Sequence, residues 1–271
     1  MRIAFVNNNL ITCGGILTNY EYVKELRQRG FEADLYANED NAELRRVYGL
    51  DIKPIGFLEG FTDGDSIIAN RWEQCDELEK FKGRKIQFIQ GNDALYWKDD
   101  AKALENLKRI RNNPNWELIG VSDYVLKDWG RGIVIPNGIN DRFFIQHGLE
   151  RDIDALIEGN NEHNKQIRVA INKAKEDGHK RIVWLGRETI PVEGVECITN
   201  PPQEEIPKIY QRAKHFYKYS ISEGFCLPLL EAELSGCIIH THDMGGNKFD
   251  KLAKEYTWKN STDKLLEYLN K

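Results

Sequence analysis

Two glutamates, separated by seven residues, mark the part of the sequence whose residue types are best suited to ligand chemistry. Pro228 suits the first turn of a helix, and Gly236 suits the position just after its end. We therefore predict a short helix that begins beside Glu223 and contains Glu231. Carboxylates accept hydrogen bonds from vicinal hydroxyls, as on a hexose or a ribose, and a helix N-terminus favours phosphate. The pattern predicts a pocket for a diphosphate with hydroxyl-bearing groups at both ends. A simpler interpretation, in which Glu223 caps the helix and Glu231 is surface charge, stays open.

The elements that must position these glutamates are predicted from apolar runs that alternate with helix-like stretches, a pattern typical of parallel sheets covered by helices. The predicted strands are Arg2–Val6, Glu32–Tyr36, Ser66–Ala69, Ile86–Ile89, Glu117–Val121, Gly132–Ile135, Ile153–Ile157, Arg181–Leu185, Gly194–Ile198, His215–Tyr219 and Cys237–His240. Helices are predicted after Gly15 and over Ile167–Lys175. We expect an α/β fold with two Rossmann-like domains, residues 1–148 and 149–271, that face across a cleft.

Composition and charge narrow the function classes. A net charge of -5 argues against a general nucleic-acid binder. A basic stretch of helical spacing could lie on an anionic membrane surface or be an ordinary solvated helix face; it comprises Lys102, Lys108, Arg109 and Arg111. The sequence has no apolar run long enough to span a bilayer and no signal-peptide core. Five scattered cysteines suggest reduced thiols. We expect a cytoplasmic protein, with peripheral contact at the inner membrane face left open.

The segment from Ser222 to Glu231 resembles the donor-site signature of retaining glycosyltransferase family 4. Further matching segments occur in the order that the family requires, namely Gly14-Gly15, Val121-Ser122, Val134 to Ile139, Ser235-Gly236 and Gly245-Gly246. The resemblance implies a GT-B fold and transfer of a sugar, with retention of configuration, from a UDP- or GDP-sugar to a glycan, a lipid-linked acceptor or a protein. The resemblance also implies a reaction without a metal ion. It implies no cofactor either, since the nucleotide sugar is a co-substrate.

Carried over residue by residue, the resemblance assigns Glu223 to the hydroxyls of the transferred sugar and Glu231 to the ribose of the nucleotide. The remaining donor-site residues are expected to bring backbone close to the donor and its diphosphate; they are Gly14, Gly15, Gly224, Phe225, Cys226 and Leu227.

In the family, an arginine and a lysine bind the diphosphate from a loop that begins with a glycine. The matching loop in this sequence begins at Gly159. Lys165 fits the lysine position, and we expect it to stabilise the leaving diphosphate. Asn160 stands where the arginine is expected, so one positive charge is missing. Arg187 could supply that charge from a neighbouring strand end or could be a plain surface residue.

The strand that ends near Gln90 lacks the histidine that many family members carry near the reacting sugar. Gln90 could still hydrogen-bond a sugar hydroxyl, and Asn92 and Asp93 are candidates on the acceptor side. Asp93 could equally cap the segment that follows it.

Two alternative functions stay open at this point. The absent arginine and histidine are consistent with an inactive GT-B subunit that binds a nucleotide sugar without turnover. The opening strand, loop and helix suggest an NAD-dependent dehydrogenase, although the loop lacks G-x-G-x-x-G. Asp63 and Asp65 have the spacing of a metal-binding pair, but Gly64 between them favours a turn.

Overall fold

The computed structural model describes residues 1–7, 14–38, 49, 51–146, 148–249 and 252–271. The chain divides into two compact units, one made of Met1–Gly138 with Trp258–Lys271 and the other of Ile139–Thr257. This division differs from the predicted boundary at residue 148, because the chain returns to the first unit for its last helix. Residues 8–13, in the loop predicted to lead to Gly14 and Gly15, lie outside the described residues.

The first unit is built on a parallel sheet of seven strands in the order β3-β2-β1-β4-β5-β6-β7. These strands are β1 (Arg2–Asn7), β2 (Glu32–Ala37), β3 (Ile52–Pro54), β4 (Ser66–Ala69), β5 (Arg84–Ile89), β6 (Trp116–Gly120) and β7 (Ile133–Val134). The central strands are apolar along their length because a parallel sheet is covered on both faces. Strand order reverses between β1 and β4, and ligands of open α/β sheets bind at the carboxyl ends of such strands.

The helices of the first unit are α1 (Gly14–Gln28), α2 (Cys75–Leu78), α3 (Asp93–Tyr96), α4 (Ala101–Asn112), α5 (Asp123–Leu126) and α9 (Trp258–Leu269), with 3-10 helices at Ile55–Gly60 and Trp72–Gln74. The last helix, α9, packs on the first unit through Trp258, whose ring centroid lies 5.3 Å from that of Tyr22. Two side chains of the same unit bind this helix: Arg29 pairs with Asp263 at 2.6 Å, and Arg84 donates to the carbonyl of Tyr268 at 3.0 Å.

The second unit contains a five-stranded parallel sheet in the order β10-β9-β8-β11-β12. Its strands are β8 (Ile153–Glu158), β9 (Ile182–Gly186), β10 (Val195–Thr199), β11 (Ala213–Lys218) and β12 (Ile238–Thr241). Its helices are α6 (Ile167–Glu176), α7 (Ile206–Arg212) and α8 (Leu227–Leu234), with 3-10 helices at Asp141–Phe143, His163–Lys165 and Ala253–Glu255. Two apolar clusters, one containing Phe216 and Leu229 and the other Tyr217 and Ile171, form the core of this unit.

Every strand predicted from the sequence is present within two residues of its predicted bounds. The structure adds the short strand β3 and the helices α7 and α9, which the apolar periodicity did not indicate. Among the described residues, no helix has both the length and the apolar character needed to cross a lipid bilayer. The basic stretch on α4 is not a uniform surface patch, because Arg111 is buried and Arg109 pairs with Asp76 at 2.6 Å.

Candidate functional site

The loop that follows β11 carries Glu223, and a second loop holds it by its backbone. The Glu223 N–H donates to the carbonyl of Met244 at 3.0 Å, and the Gly246 N–H donates to the carbonyl of Glu223 at 2.9 Å. A methyl group on Gly246 would lie 2.0 Å from the carbonyl oxygen of Gly224. Only glycine therefore allows the two loops to approach this closely, and that approach fixes the backbone of Glu223.

Lys165 contacts the carboxylate of Glu223 directly. Its ammonium Nζ lies 3.0 Å from Oε1 and 3.3 Å from Oε2. Lys165 is the last residue of the 3-10 helix that follows β8, and its neighbour Asn164 connects this helix to the loop of Glu223. The Asn164 side chain donates to the carbonyl of Ser222 at 3.1 Å. The backbone carbonyl of Asn164 accepts from the N–H of Ile221 at 2.8 Å. The sequence-predicted catalytic pair is thus in contact within the second unit.

A second lysine, which the sequence analysis did not identify, also lies close to the carboxylate of Glu223. Lys218 is the last residue of β11, and its Nζ lies 3.7 Å from Oε1 of Glu223. The same ammonium binds Glu158, the last residue of β8, at 2.7 Å from Oε2 and 2.9 Å from the carbonyl. Strands β8 and β11 are neighbours at the point where the strand order of this sheet reverses. The apolar pair Phe216-Tyr217 just before this lysine was the one signal that could have suggested that Lys218 is buried.

These charges set the ionisation of the pair. Burial by itself would raise the pKa of Glu223, but the ammonium groups of Lys218 and Lys165 outweigh it, so this pKa lies below its ordinary value. Burial would lower the pKa of Lys218, and the carboxylates of Glu158 and Glu223 reverse that effect, so its pKa lies above the ordinary value. Both lysines and Glu223 are therefore charged at neutral pH.

Glu231 has the opposite electrostatic surroundings. Burial, followed by the neighbouring charge of Glu158, raises the pKa of Glu231 to about 8, against the opposing effects of Arg142 and Lys218. Lys218 acts electrostatically on both Glu231 and Glu223, so the two glutamates share one charged neighbour. At neutral pH the Glu231 carboxyl is largely protonated and can both donate and accept a hydrogen bond.

Helix α8 has the predicted limits. It begins at Leu227 with Pro228 in its first turn, and Gly236 follows its end with a φ of 76°, in the left-handed region that favours glycine.

The backbone donors before this helix differ from the prediction. The Cys226 N–H donates to the carbonyl of Gly246 at 3.3 Å, and the Leu227 N–H donates to the carbonyl of Phe225 at 2.8 Å. Two of the three backbone donors expected to face a diphosphate, those of Cys226 and Leu227, are thus engaged within the chain. The Phe225 ring packs against Phe249, with ring centroids 5.3 Å apart.

Asn160 and Arg187 bind each other at the ends of β8 and β9. The Asn160 side-chain oxygen accepts from the backbone N–H of Arg187 at 3.0 Å, and its nitrogen donates to Glu162 at 3.2 Å. Asn160 therefore joins two loops through its side chain. The Arg187 guanidinium lies 4.0 Å from Glu188, and about a third of the Arg187 side chain is exposed.

In the first unit, Gly14 and Gly15 are the first residues of helix α1, whereas the sequence predicted that they form a loop. The side chain of Gln90 donates to the carbonyl of Gly15 at 3.1 Å and also to Asn70. A methyl group on Gly15 would lie 3.3 Å from the Gln90 side chain, while one on Gly14 would meet nothing within 4 Å. Gly15 therefore allows the close approach of Gln90, a contact that the sequence did not predict.

Asn92 and Asp93 have structural partners. Asn92 caps helix α3 by accepting from the Leu95 N–H at 3.1 Å, and its nitrogen donates to the Tyr124 hydroxyl at 3.0 Å. Asp93 was expected either to face an acceptor or to cap this helix. It pairs with the buried guanidinium of Arg111 instead, and burial raises its pKa although Arg111 opposes the shift. The capping residue is one position earlier than predicted.

The Asp63-Gly64-Asp65 segment is a turn, as its glycine indicated. Asp65 accepts hydrogen bonds from the backbone N–H of Arg2 at 2.7 Å and from that of Thr62 at 2.9 Å. Within the described ranges, histidine, cysteine and carboxylate side chains form no group of three or more that could hold a metal ion.

Solved structures share this two-unit architecture. HepE of Anabaena in complex with UDP-glucose has a TM-score of 0.78 and 12% identity, over 100% of this chain and 99% of that chain. The sucrose-phosphate synthase of Thermosynechococcus elongatus has a TM-score of 0.69 and 14% identity, over 98% of this chain and 94% of that one. WaaG, a glycosyltransferase involved in lipopolysaccharide biosynthesis, has a TM-score of 0.67 and 12% identity, over 99% and 90%.

These similarities establish the fold as that of GT-B glycosyltransferases, with two Rossmann-like units, and confirm the predicted fold class. No protein-family model and no curated protein matches the sequence.

Proposed function

We propose that this protein is a glycosyltransferase that moves a hexose from a nucleoside-diphosphate sugar to a hydroxyl-bearing acceptor with retention of configuration. The observation that carries the proposal is the Lys165–Glu223 contact of 3.0 Å, beside the start of helix α8 and at the carboxyl edge of the second sheet. The GT-B fold supports it, since structures with this fold include one titled as a complex with UDP-glucose and another as a complex with UDP and GlcNAc.

In the proposed donor complex, the ionised Glu223 accepts hydrogen bonds from hydroxyls of the transferred sugar. The side chain of Lys165 is 22% exposed and is therefore accessible to the diphosphate. When the donor binds, the Lys165 ammonium forms hydrogen bonds to phosphate oxygens in place of one of its contacts with Glu223. Glu231 binds the ribose, and its raised pKa lets it donate as well as accept. UDP is the first nucleotide to test because it is named for the solved structures; GDP remains a second candidate.

The proposed reaction needs no protein nucleophile and no cofactor. The bond between the sugar's anomeric carbon and the diphosphate oxygen breaks, and a bond from that carbon to the acceptor oxygen forms on the same face. The acceptor's proton passes to an oxygen of the departing diphosphate. Lys165 stabilises the negative charge that grows on this leaving group, which lowers the barrier because the charge is larger in the transition state.

On the acceptor side, we propose that the first unit binds a glycan or a lipid-linked acceptor. Gln90, at the carboxyl end of β5, has an amide that can bind a sugar hydroxyl. Asn92 keeps a position near this strand end through its bond to Tyr124. A lipid-linked acceptor would bring the protein to the inner face of a membrane from the cytoplasm.

The test incubates the purified chain with UDP- and GDP-sugars, with and without candidate acceptors, and measures release of nucleoside diphosphate. Glu223→Gln should lower the rate by about 100-fold or more, because it removes the charge that the sugar hydroxyls contact. Glu233→Gln is the matched control: it removes an exposed carboxylate from helix α8, which follows the loop of Glu223, and it should leave the rate unchanged. Full activity in Glu223→Gln would contradict the proposal.

Asn160 in place of the arginine and the absence of the histidine favour one second candidate, a nucleotide-sugar-binding subunit without turnover. A thermal-shift panel separates the two, because a ligand that binds the folded state raises the melting temperature. Stabilisation by UDP or GDP with no turnover for any acceptor would favour the binding subunit. Stabilisation by NAD alone would favour a dehydrogenase.

A further inference from the structure

We infer that Lys218 is a positioning residue that holds Glu223 ionised and in place. Its consequence for catalysis rests on the proposed function, whereas its action on Glu223 does not.

Lys218 lies next to Glu223 and is almost completely buried. Its side chain is 2% exposed, and its ammonium lies 3.7 Å from Oε1 of Glu223. A group so deeply buried cannot contact a nucleotide sugar directly. Any effect that Lys218 has on the reaction must therefore act through its neighbours, and Glu223 is the predicted catalytic residue among them.

Lys218 also belongs to an alternating row of charges. Lys165 contacts Glu223 at 3.0 Å, Glu223 lies 3.7 Å from Lys218, and Lys218 binds Glu158 at 2.7 Å. The row contains two positive and two negative groups, so it is neutral as a whole. A buried lysine without a carboxylate partner would be strongly unfavourable, and Glu158 provides that partner. The Lys218–Glu158 pair thus keeps a buried positive charge next to Glu223 at the end of β11. An apolar residue at this position would need no such partner.

The groups that face Glu223 come from four elements. Lys165 lies on the 3-10 helix, Lys218 on β11, Glu158 on β8, and the buried thiol of Cys226 at the start of α8. Burial raises the pKa of Cys226, so this thiol is neutral. Glu158 belongs to this group through Lys218, which it binds at 2.7 Å. Among the described residues, the ammonium groups of Lys218 and Lys165 are the charged groups that keep Glu223 ionised against its burial, and the side chain of Ser220 lowers the pKa of Glu223 further.

The direct test measures the carboxyl pKa of Glu223 by 13C NMR of protein labelled at glutamate side chains, with Glu223→Gln to assign the signal. Lys218→Met should raise this pKa by about one to three units, the range that an opposite charge at ~4–6 Å produces. Lys214→Met is the matched control, since Lys214 is on the same strand but pairs with Asp154 at 2.9 Å. It should leave the Glu223 signal unchanged.

A double variant distinguishes positioning from a merely structural ion pair. Glu158→Gln with Lys218→Met removes both charges, so no carboxylate or ammonium of the pair is left buried and unpaired. If Lys218 served only to neutralise Glu158, the double variant would restore a wild-type pKa at Glu223. We expect the pKa to stay raised. A wild-type value in the double variant would overturn the inference.

The catalytic consequence is read from the pH dependence of nucleoside-diphosphate release from UDP-glucose. The acid limb of kcat/KM, which reports the ionisation of Glu223 in the free protein, should move to higher pH in both Lys218 variants by the amount that NMR measures. An acid limb that stays in place while the NMR value moves would overturn the catalytic part. If the wild-type chain shows no turnover of any sugar nucleotide, the proposed function fails, and the NMR result still decides the role of Lys218.

Discussion

Two glutamates of the same unit respond to burial in opposite ways because their charged neighbours differ. Glu223 has two lysine ammonium groups within 4 Å, at 3.0 and 3.7 Å, and its pKa lies below the ordinary value. Burial and the nearby negative charge of Glu158 together raise the pKa of Glu231 to about 8. One carboxylate is thus suited to hold a fixed negative charge, and the other is suited to exchange a proton near neutral pH.

The raised pKa of Glu231 predicts how stability changes with pH. A glutamate with an ordinary pKa of 4.5 ionises in the unfolded chain well before it does so in the folded one, where its pKa is about 8. The folded state therefore binds the proton more tightly, and its stability falls as the pH rises from 4.5 to about 8. Glu231→Gln removes this loss, so it should stabilise the protein at pH 8.5 by roughly 3–5 kcal/mol and have little effect at pH 4.5.

The measurement is urea unfolding at both pH values, with Glu233→Gln as the exposed control from the same helix. The control should show no such pH-dependent difference. A Glu231→Gln variant whose stability difference from wild type is the same at both pH values would contradict the raised pKa.

At this scale the sequence predicted the residues that belong to a recognisable pattern and missed those that do not. The family resemblance assigned both Glu223 and Lys165 to the donor site, and the structure places their side chains in contact. Lys218 and Glu158 were missed because neither belongs to that pattern, and their pairing depends on which two strands are neighbours. Asp93 was assigned to an acceptor or a cap, but its partner Arg111 lies on a helix that the sequence could not bring next to it.

Among the elements, the strands were the most predictable because buried parallel strands are short, continuous apolar runs. Helix α8 was predicted from Pro228 and Gly236, which fix its two ends locally. Helix α7 was missed because its apolar and polar residues follow Pro201-Pro202 with little periodicity. The loop pair around Gly246 was recognised only as a motif, and its physical reason, a backbone approach that excludes a methyl group, needed coordinates.

That loop pair gives a prediction at the scale of the element. In Gly246→Ala, the new methyl would lie 2.0 Å from the carbonyl oxygen of Gly224 and 2.4 Å from that of Glu223. The two loops must separate, so we expect a loss of roughly 3 kcal/mol of stability and a large loss of UDP affinity, because Glu223 leaves its place beside Lys165. Thermal unfolding and calorimetric titration with UDP measure the two effects.

Gly56→Ala is the matched control, since no atom lies within 4 Å of the added methyl and no φ in the left-handed region is required. Its melting temperature and UDP affinity should match the wild type. A Gly246→Ala protein as stable as Gly56→Ala would show that the loops can adapt, and the proposed constraint on Glu223 would fail.

At the scale of the whole molecule, the first unit is formed by two separate segments of the chain, because helix α9 belongs to it although the second unit lies between them in the sequence. A sequence read in order predicts one boundary and cannot indicate this arrangement, because the contacts that hold α9 join residues far apart in the chain. The Gly138 position shows how close the contact is: a methyl group there would lie 2.4 Å from the backbone nitrogen of Trp258. The polypeptide enters and leaves the second unit at this contact.

The last prediction tests which unit depends on helix α9. Trp258 is 9% exposed, and its ring lies edge-on to Tyr22 with centroids 5.3 Å apart. Trp258→Ala should therefore cost about 3–5 kcal/mol, the usual range for truncation of a large buried aromatic side chain. Hydrogen exchange followed by mass spectrometry should show lost protection in peptides of residues 1–138 and unchanged protection in residues 153–241. Phe57→Ala, which truncates an aromatic side chain that is 66% exposed, should change neither region. If protection were lost in the second unit and kept in the first, α9 would belong with residues 149–271, as the sequence had suggested.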